Sequence, residues 1–279
     1  MGMDRLMHIS SKCLKALLLA TTVSVSVTPL AASSGVESQK VEGLHFPNAT
    51  WANENFLLKD DLGDTGRPPK RASGGSRGPC LDQLIALMPG AEEIGLGEDD
   101  CGDGSDAFST DTVGARPIFW FYVPDTLPPN TVATLTLVNI STPRVNATKN
   151  VLLPEQAGLI AIQSDHELNV GDIYGWDFEI QLYSGSGSSR NPTVNGVIRR
   201  QPVTAEIAAK LNSLEAAEKS NLYLQNGLWN DALNELAKLR VSTPEDLAVI
   251  DEWQSLFTQA GLSVLSQQSI LDCCVDSNN

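Results

Sequence analysis

Tyr174–Leu182 constrains this chain most. Tyr174, Trp176, Phe178, Ile180 and Leu182 are apolar at every second position, with Gly175, Asp177, Glu179 and Gln181 between them. A strand sends alternate side chains to opposite faces, whereas a helix would scatter these five around its axis. The stretch therefore predicts a half-buried strand with its aromatic residues in a core, around which other strands must pack.

Those other strands are visible. Ile118–Val123 is apolar on both faces, which predicts a central strand. Thr131–Asn139 alternates, with Ala133, Leu135 and Leu137 on one face. Val151–Leu153, Leu159–Ile162 and Val194–Arg199 are shorter runs, separated by Pro154, Gly158 and the Gly/Ser-rich stretch Ser184–Pro192. Short strands with turn signals and no intervening helices predict an antiparallel Ig-like β-sandwich of about six or seven strands.

At Thr204 the period becomes helical. Ile207, Leu211 and Leu214 mark one face as far as the stop at Asn226-Gly227, and Ala232, Leu233, Leu236 and Leu239 mark a second helix. Thr243-Pro244-Glu245-Asp246 predicts a third start with Thr243 as the cap, followed by Ile250, Trp253 and Phe257 on one face. The expected fold is mainly β with α, a sandwich followed by a C-terminal helical hairpin or three-helix segment.

The N-terminus has the pattern of an export signal. Arg5, Lys12 and Lys15 precede a short apolar stretch, and Pro29-Leu30-Ala31-Ala32 offers small residues for cleavage. No later segment is long and apolar enough to span a membrane. The expected organisation is a signal peptide over 1–32, a disordered linker over 33–77, the β-sandwich over 78–203, helices packed on it over 204–270 and a flexible tail over 271–279. The expected location is periplasmic or extracellular. With 34 acidic against 19 basic residues, the chain lacks the basic face that nucleic acid requires. Export favours disulfides, and Cys80–Cys101 would close a short loop, while the vicinal Cys273 and Cys274 bond elsewhere, pair between chains or stay free.

Two resemblances follow. Tyr223, Ala232, Leu236, Leu239 and Pro244 are spaced as in a tetratricopeptide repeat, but a single unit makes a helical hairpin and no array. The broader resemblance covers about residues 76–265. Cys80 with Leu84–Pro89, Pro117–Pro124, Tyr174-Gly175-Trp176, Gly196–Arg200 and Gly227–Leu233 resemble the cyanobacterial DUF928 family of exported proteins. The resemblance implies compartment and architecture and supplies no catalytic residue. The family tends to carry Gly-Trp-Ile where Gly196-Val197-Ile198 stands, and often a cysteine near Leu182–Tyr183 that is missing here.

The sequence assembles no catalytic set. His166 follows Ser164 and Asp165 in a turn, which is not triad geometry. Gly95–Asp106 is acidic and glycine-rich but only half fits a calcium loop, because Cys101 takes a ligand position. Asp177 and Glu179 share a strand face. No metal, cofactor or nucleotide motif is present. The expectation is a non-catalytic exported module that binds a protein partner, with Trp120, Trp176, Arg199 and Trp229 as candidate binding residues and no cofactor. The alternative is a carbohydrate-binding or carbohydrate-cleaving sandwich, in which the tryptophans form a stacking platform.

Overall fold

A computed structural model describes residues 70–73, 82–90, 93–95, 109–124, 127–140, 142, 144–182 and 191–274. The signal-peptide pattern, most of the expected linker, Cys80, Cys101 and nearly all of the acidic glycine-rich stretch lie outside these residues.

Among the described residues, eight strands and four α-helices follow in order: β1 (Ile85–Ala86), β2 (Thr110–Thr112), β3 (Ile118–Val123), β4 (Val132–Asn139), β5 (Arg144–Leu152), β6 (Gly158–Gln163), β7 (Ile173–Gln181), β8 (Thr193–Arg200), then α1 (Ala205–Leu211), α2 (Ala216–Gln225), α3 (Trp229–Ser242) and α4 (Leu247–Gln259). The strands form a five-stranded sheet, β2-β8-β7-β4-β5, and a three-stranded sheet, β1-β3-β6. The fold is mixed, mostly β, with its helices at the C-terminal end.

The alternation of β7 is realised residue for residue. Tyr174, Trp176, Phe178 and Ile180 are buried and their neighbours are not. Leu135 and Leu137 of β4 lie beside Phe178 and Trp176. Across the layer, Phe121 of β3 stacks on Phe178 with ring centroids 4.0 Å apart. Trp176 lies so close to Gly196 of β8 that a Cβ there would come within 2.5 Å of the indole.

The double-faced character of β3 has a direct cause: its sheet is the middle of three layers. Phe119, Phe121 and Val123 face the five-stranded sheet. Trp120 and Tyr122 face Leu233, Leu236, Trp253 and Phe257 of the helices. The helices thus pack on this sheet.

Four departures from the sequence reading have physical reasons. The sheets are not antiparallel throughout, because β2 pairs with β8 in parallel. This Thr-Asp-Thr strand, like the polar first part of β5, carries no apolar alternation to announce it. The helical run from Thr204 breaks after α1, where Asn212 caps the end and the Ser213 hydroxyl donates to Lys210 O. The third helix starts later than Thr243. Asp246 is its cap, accepting from the Ala248 and Val249 N–H groups, while the Thr243 hydroxyl donates back to Leu239 O and ends α3. Finally, residues 70–73 of the expected linker are built into the fold. Lys70 pairs with Asn195, Ala72 pairs with Ile85, and Arg71 is 1% exposed. The Arg71 guanidinium donates to the carbonyls of Ala260 and Gly261 at 2.8 and 3.3 Å, where α4 ends with a partial negative charge and the Gly90 and Ile94 N–H groups donate to the same two oxygens.

Candidate functional site

A cavity of about 580 Å³ opens between α3, the start of β3, the end of β6 and the segment Ile270–Cys273. Its position follows from local packing. α3 lays Ala232, Leu233 and Leu236 on the three-stranded sheet, and this turns Asn230, Asn234, Ala237, Lys238 and Val241 toward the cavity. Trp120, Ile118 and Ala161 supply a floor from the sheet. Ile270 and Leu271 supply the far wall. That segment is a strap on the edge of β6, where the Leu159 N–H donates to Ser269 O and the Leu271 N–H donates to Leu159 O, both at 2.8 Å. Gly158 makes room for the strap, since a Cβ there would lie 2.7 Å from Leu271 and from Ser269 O.

Asp231 stands at the inner end of the cavity. The Val113 N–H donates to its carboxylate at 3.1 Å, and the Thr112 hydroxyl and Gly114 N–H also bond to it. Burial nonetheless dominates and pushes its pKa up to about 6. The carboxylate ties the first turn of α3 to the β2–β3 connection. At the rim, Arg116 meets Glu167 at 3.3 Å and Lys238 meets Glu235 at 2.7 Å, surface pairs of little strength.

Of the four residues singled out from sequence, only Trp120 reaches this cavity. It is 7% exposed, so its ring is not a platform, and its Nε1 has no hydrogen-bond partner. Trp176 lies in the layer between the sheets, against Phe119 and Phe121. Trp229 is buried against the middle sheet, and its Nε1–H donates to Leu87 O at 2.8 Å. Arg199 makes a two-pronged pair with Asp111 at 3.0 and 3.1 Å, and Gln201 shares the same carboxylate.

The Ser164 hydroxyl donates to His166 O and accepts from His166 N, so it is engaged by the turn's backbone. Asp165 pairs with Lys149 and Glu179 accepts from Asn191. Among the described residues, no group of three His, Cys, Asp or Glu side chains is placed to hold a metal ion, and no helix is long and apolar enough to cross a membrane. Cys273 and Cys274 sit side by side at the end of the strap, with both sulfurs near Leu152 O.

The family model described as Domain of Unknown Function (DUF928) matches residues 72–270. The chain belongs to the DUF928 family. The match begins at Ala72, which bridges to Ile85, and ends at Ile270, whose bridge to Leu159 seats the strap. No curated protein matches the chain. The DUF928 region thus takes in both sheets, all four helices and most of the cavity wall. Sequence reasoning missed Arg116, Gln163, Asn234 and Lys238, the polar part of that wall. The signal available was the polar stripe Asn230, Asn234 and Lys238 beside the apolar stripe of α3, at spacings of four residues.

Proposed function

We propose that this DUF928 chain is an exported, non-catalytic protein-interaction module of a cyanobacterial cell envelope, and that the cavity beside α3 receives its partner. The observation that carries this reading is the cavity itself. It is preformed and concave, has an apolar floor and carries a few convergent polar groups, which is how binding sites are built. Its buried carboxylate, Asp231, is occupied by hydrogen bonds from the β2–β3 connection, which suits a tie better than a general base. The leader pattern of residues 1–32 supports export, and the acidic composition argues against a nucleic-acid partner. A sugar platform needs an open aromatic face, and Trp120 and Trp176 are 7% and 5% exposed, which favours a protein partner over the carbohydrate reading.

The test uses paired baits on native envelope, the chain from Ser33 and its Val241→Glu variant. Val241 is 62% exposed at the cavity mouth, so the change spares the core. A cross-linked protein captured by the parent and lost with the variant is the expected result. Equal capture, or hits only on a glycan array, overturns the proposal. Export is checked separately: the secreted or periplasmic chain begins at Ser33 by mass spectrometry, and a chain that keeps residues 1–32 removes that part.

A further inference from the structure

The edge of β6 carries an inference about how the cavity is filled. Among the described residues, β6 is the outer strand of its sheet. In the β3–β6 ladder Tyr122 lies opposite Leu159, Trp120 opposite Ala161 and Ile118 opposite Gln163. The Leu159 N–H and C=O are bonded to the strap, away from β3, and Trp120 O is bonded to Leu87 N on the β1 side. Antiparallel pairs alternate between exchanging hydrogen bonds and pointing away from each other. Leu159, Ala161 and Gln163 therefore present one outward row of backbone groups. The strap takes the first, and the carbonyl of the last accepts from Lys149 Nζ at 3.2 Å. Between them stands Ala161, and both Ala161 and Gln163 line the cavity. The strap does not go on to meet Ala161, because it turns aside to set Cys273 and Cys274 near Leu152 O.

We infer that the cavity takes an extended peptide segment of the partner protein, which adds to the edge of β6 at Ala161 where the chain's own strap leaves off. The inference rests on the protein-interaction reading above and names its mode. The strap supplies the precedent, an extended segment seated on this same edge. The outward row from Ala161 to Gln163 spans about 7 Å at strand rise, the reach of about three peptide residues, with Ala161 as its point of attachment. Side chains of an added strand alternate, so one would enter the apolar space bounded by Trp120, Ala237 and Val241. The amides of Asn230 and Asn234 suit an occupant with amides of its own. An aliphatic ligand would strip water from these groups and from Ala161 and offer nothing in return.

The experiment selects peptides from a random displayed library on the chain from Ser33, then scans one binder by methylating each backbone nitrogen in turn. Strand addition predicts at least tenfold weakening at alternate positions and tolerance between them. Ala161→Pro predicts a similar loss. Proline removes only an outward N–H, and the β3 ladder is spared. Should Ala161→Pro fail to fold by circular dichroism, the methylation scan on the parent decides. Absence of any binder, or a scan without alternation, overturns strand addition. If binding then still falls in Val241→Glu, the cavity reading stands and only the mode is lost. If neither Ala161→Pro nor Val241→Glu matters, both fall.

Discussion

The two faces of the middle sheet bury comparable aromatic residues in different company. Toward the five-stranded sheet, Phe119 and Phe121 meet Trp176, Phe178 and Leu135, and the cluster is almost wholly apolar, with the Tyr174 hydroxyl reaching out to accept from the Asn169 N–H. Toward the helices, Trp120 and Tyr122 share their layer with Arg71 and Asp231 and with the cavity. Further out in the helices, Glu252 is buried with one oxygen unpartnered. An apolar layer resists change because every atom is close-packed and no group titrates. A layer holding buried polar groups is sensitive to pH and to which partners those groups find. Stability and responsiveness are thus divided between the two sides of one three-stranded sheet.

Phe178→Ala should break the first side most severely. The ring is fully buried and stacked on Phe121, and its loss should cost about 3–5 kcal/mol in denaturant unfolding. On the second side, Arg71→Leu removes the charged donor from the end of α4 and should cost about 2–3 kcal/mol by the same measurement.

Titration should sharpen the contrast. Burial pushes Glu252 up to about 7 from an ordinary 4.5, helped by Asp246, and pushes Asp231 up to about 6 from 3.8. Between these values the native state binds more protons than the unfolded chain, so the contribution of both groups to stability falls as pH rises from about 4 to about 7. Melting curves across that range should show the fall, and Glu252→Gln should flatten its upper half.

The smallest effect compares two indoles of the helical layer. Trp229→Phe and Trp120→Phe remove the same atoms, but only Trp229 loses a hydrogen bond, to Leu87 O. Trp229→Phe should be the more destabilising by about 1 kcal/mol, and equal losses would place an unseen partner on Trp120.

Much of the fold could be read along the chain because burial on one face imposes a period. β7 and β4 alternate strictly, and β3 is apolar on both faces because two layers enclose it. α4 announces itself through Trp253 and Phe257, while its buried face takes in Val249 and Leu256 and leaves Ile250 half-buried. Where burial imposes no pattern, the sequence is silent. The first part of β5 is a polar edge with Val145 66% exposed, and β2 is only three residues long. Thr243-Pro244 reads as a helix start because local chemistry permits one, yet Asp246 competes three residues later with a better-placed carboxylate. The cavity was out of reach for another reason. Arg116, Gln163, Asn234 and Cys273 are far apart in the chain, and only the tertiary arrangement brings them together. Tryptophans attract attention in a sequence, but three of the four candidate binding residues serve packing or an internal ion pair.

The bond from Arg71 to Ala260 joins positions 189 residues apart, and Asp231 reaches back 118 residues to Val113. Both are contacts between the opening of the domain and its close. During synthesis from the N-terminus, the guanidinium of Arg71 waits for acceptors that emerge only with the last helix, so the domain cannot finish folding until almost all of it exists. A chain stopped before α4 is left with a charge meant for burial and a sheet only partly covered on one face, which makes late completion a built-in property of this topology.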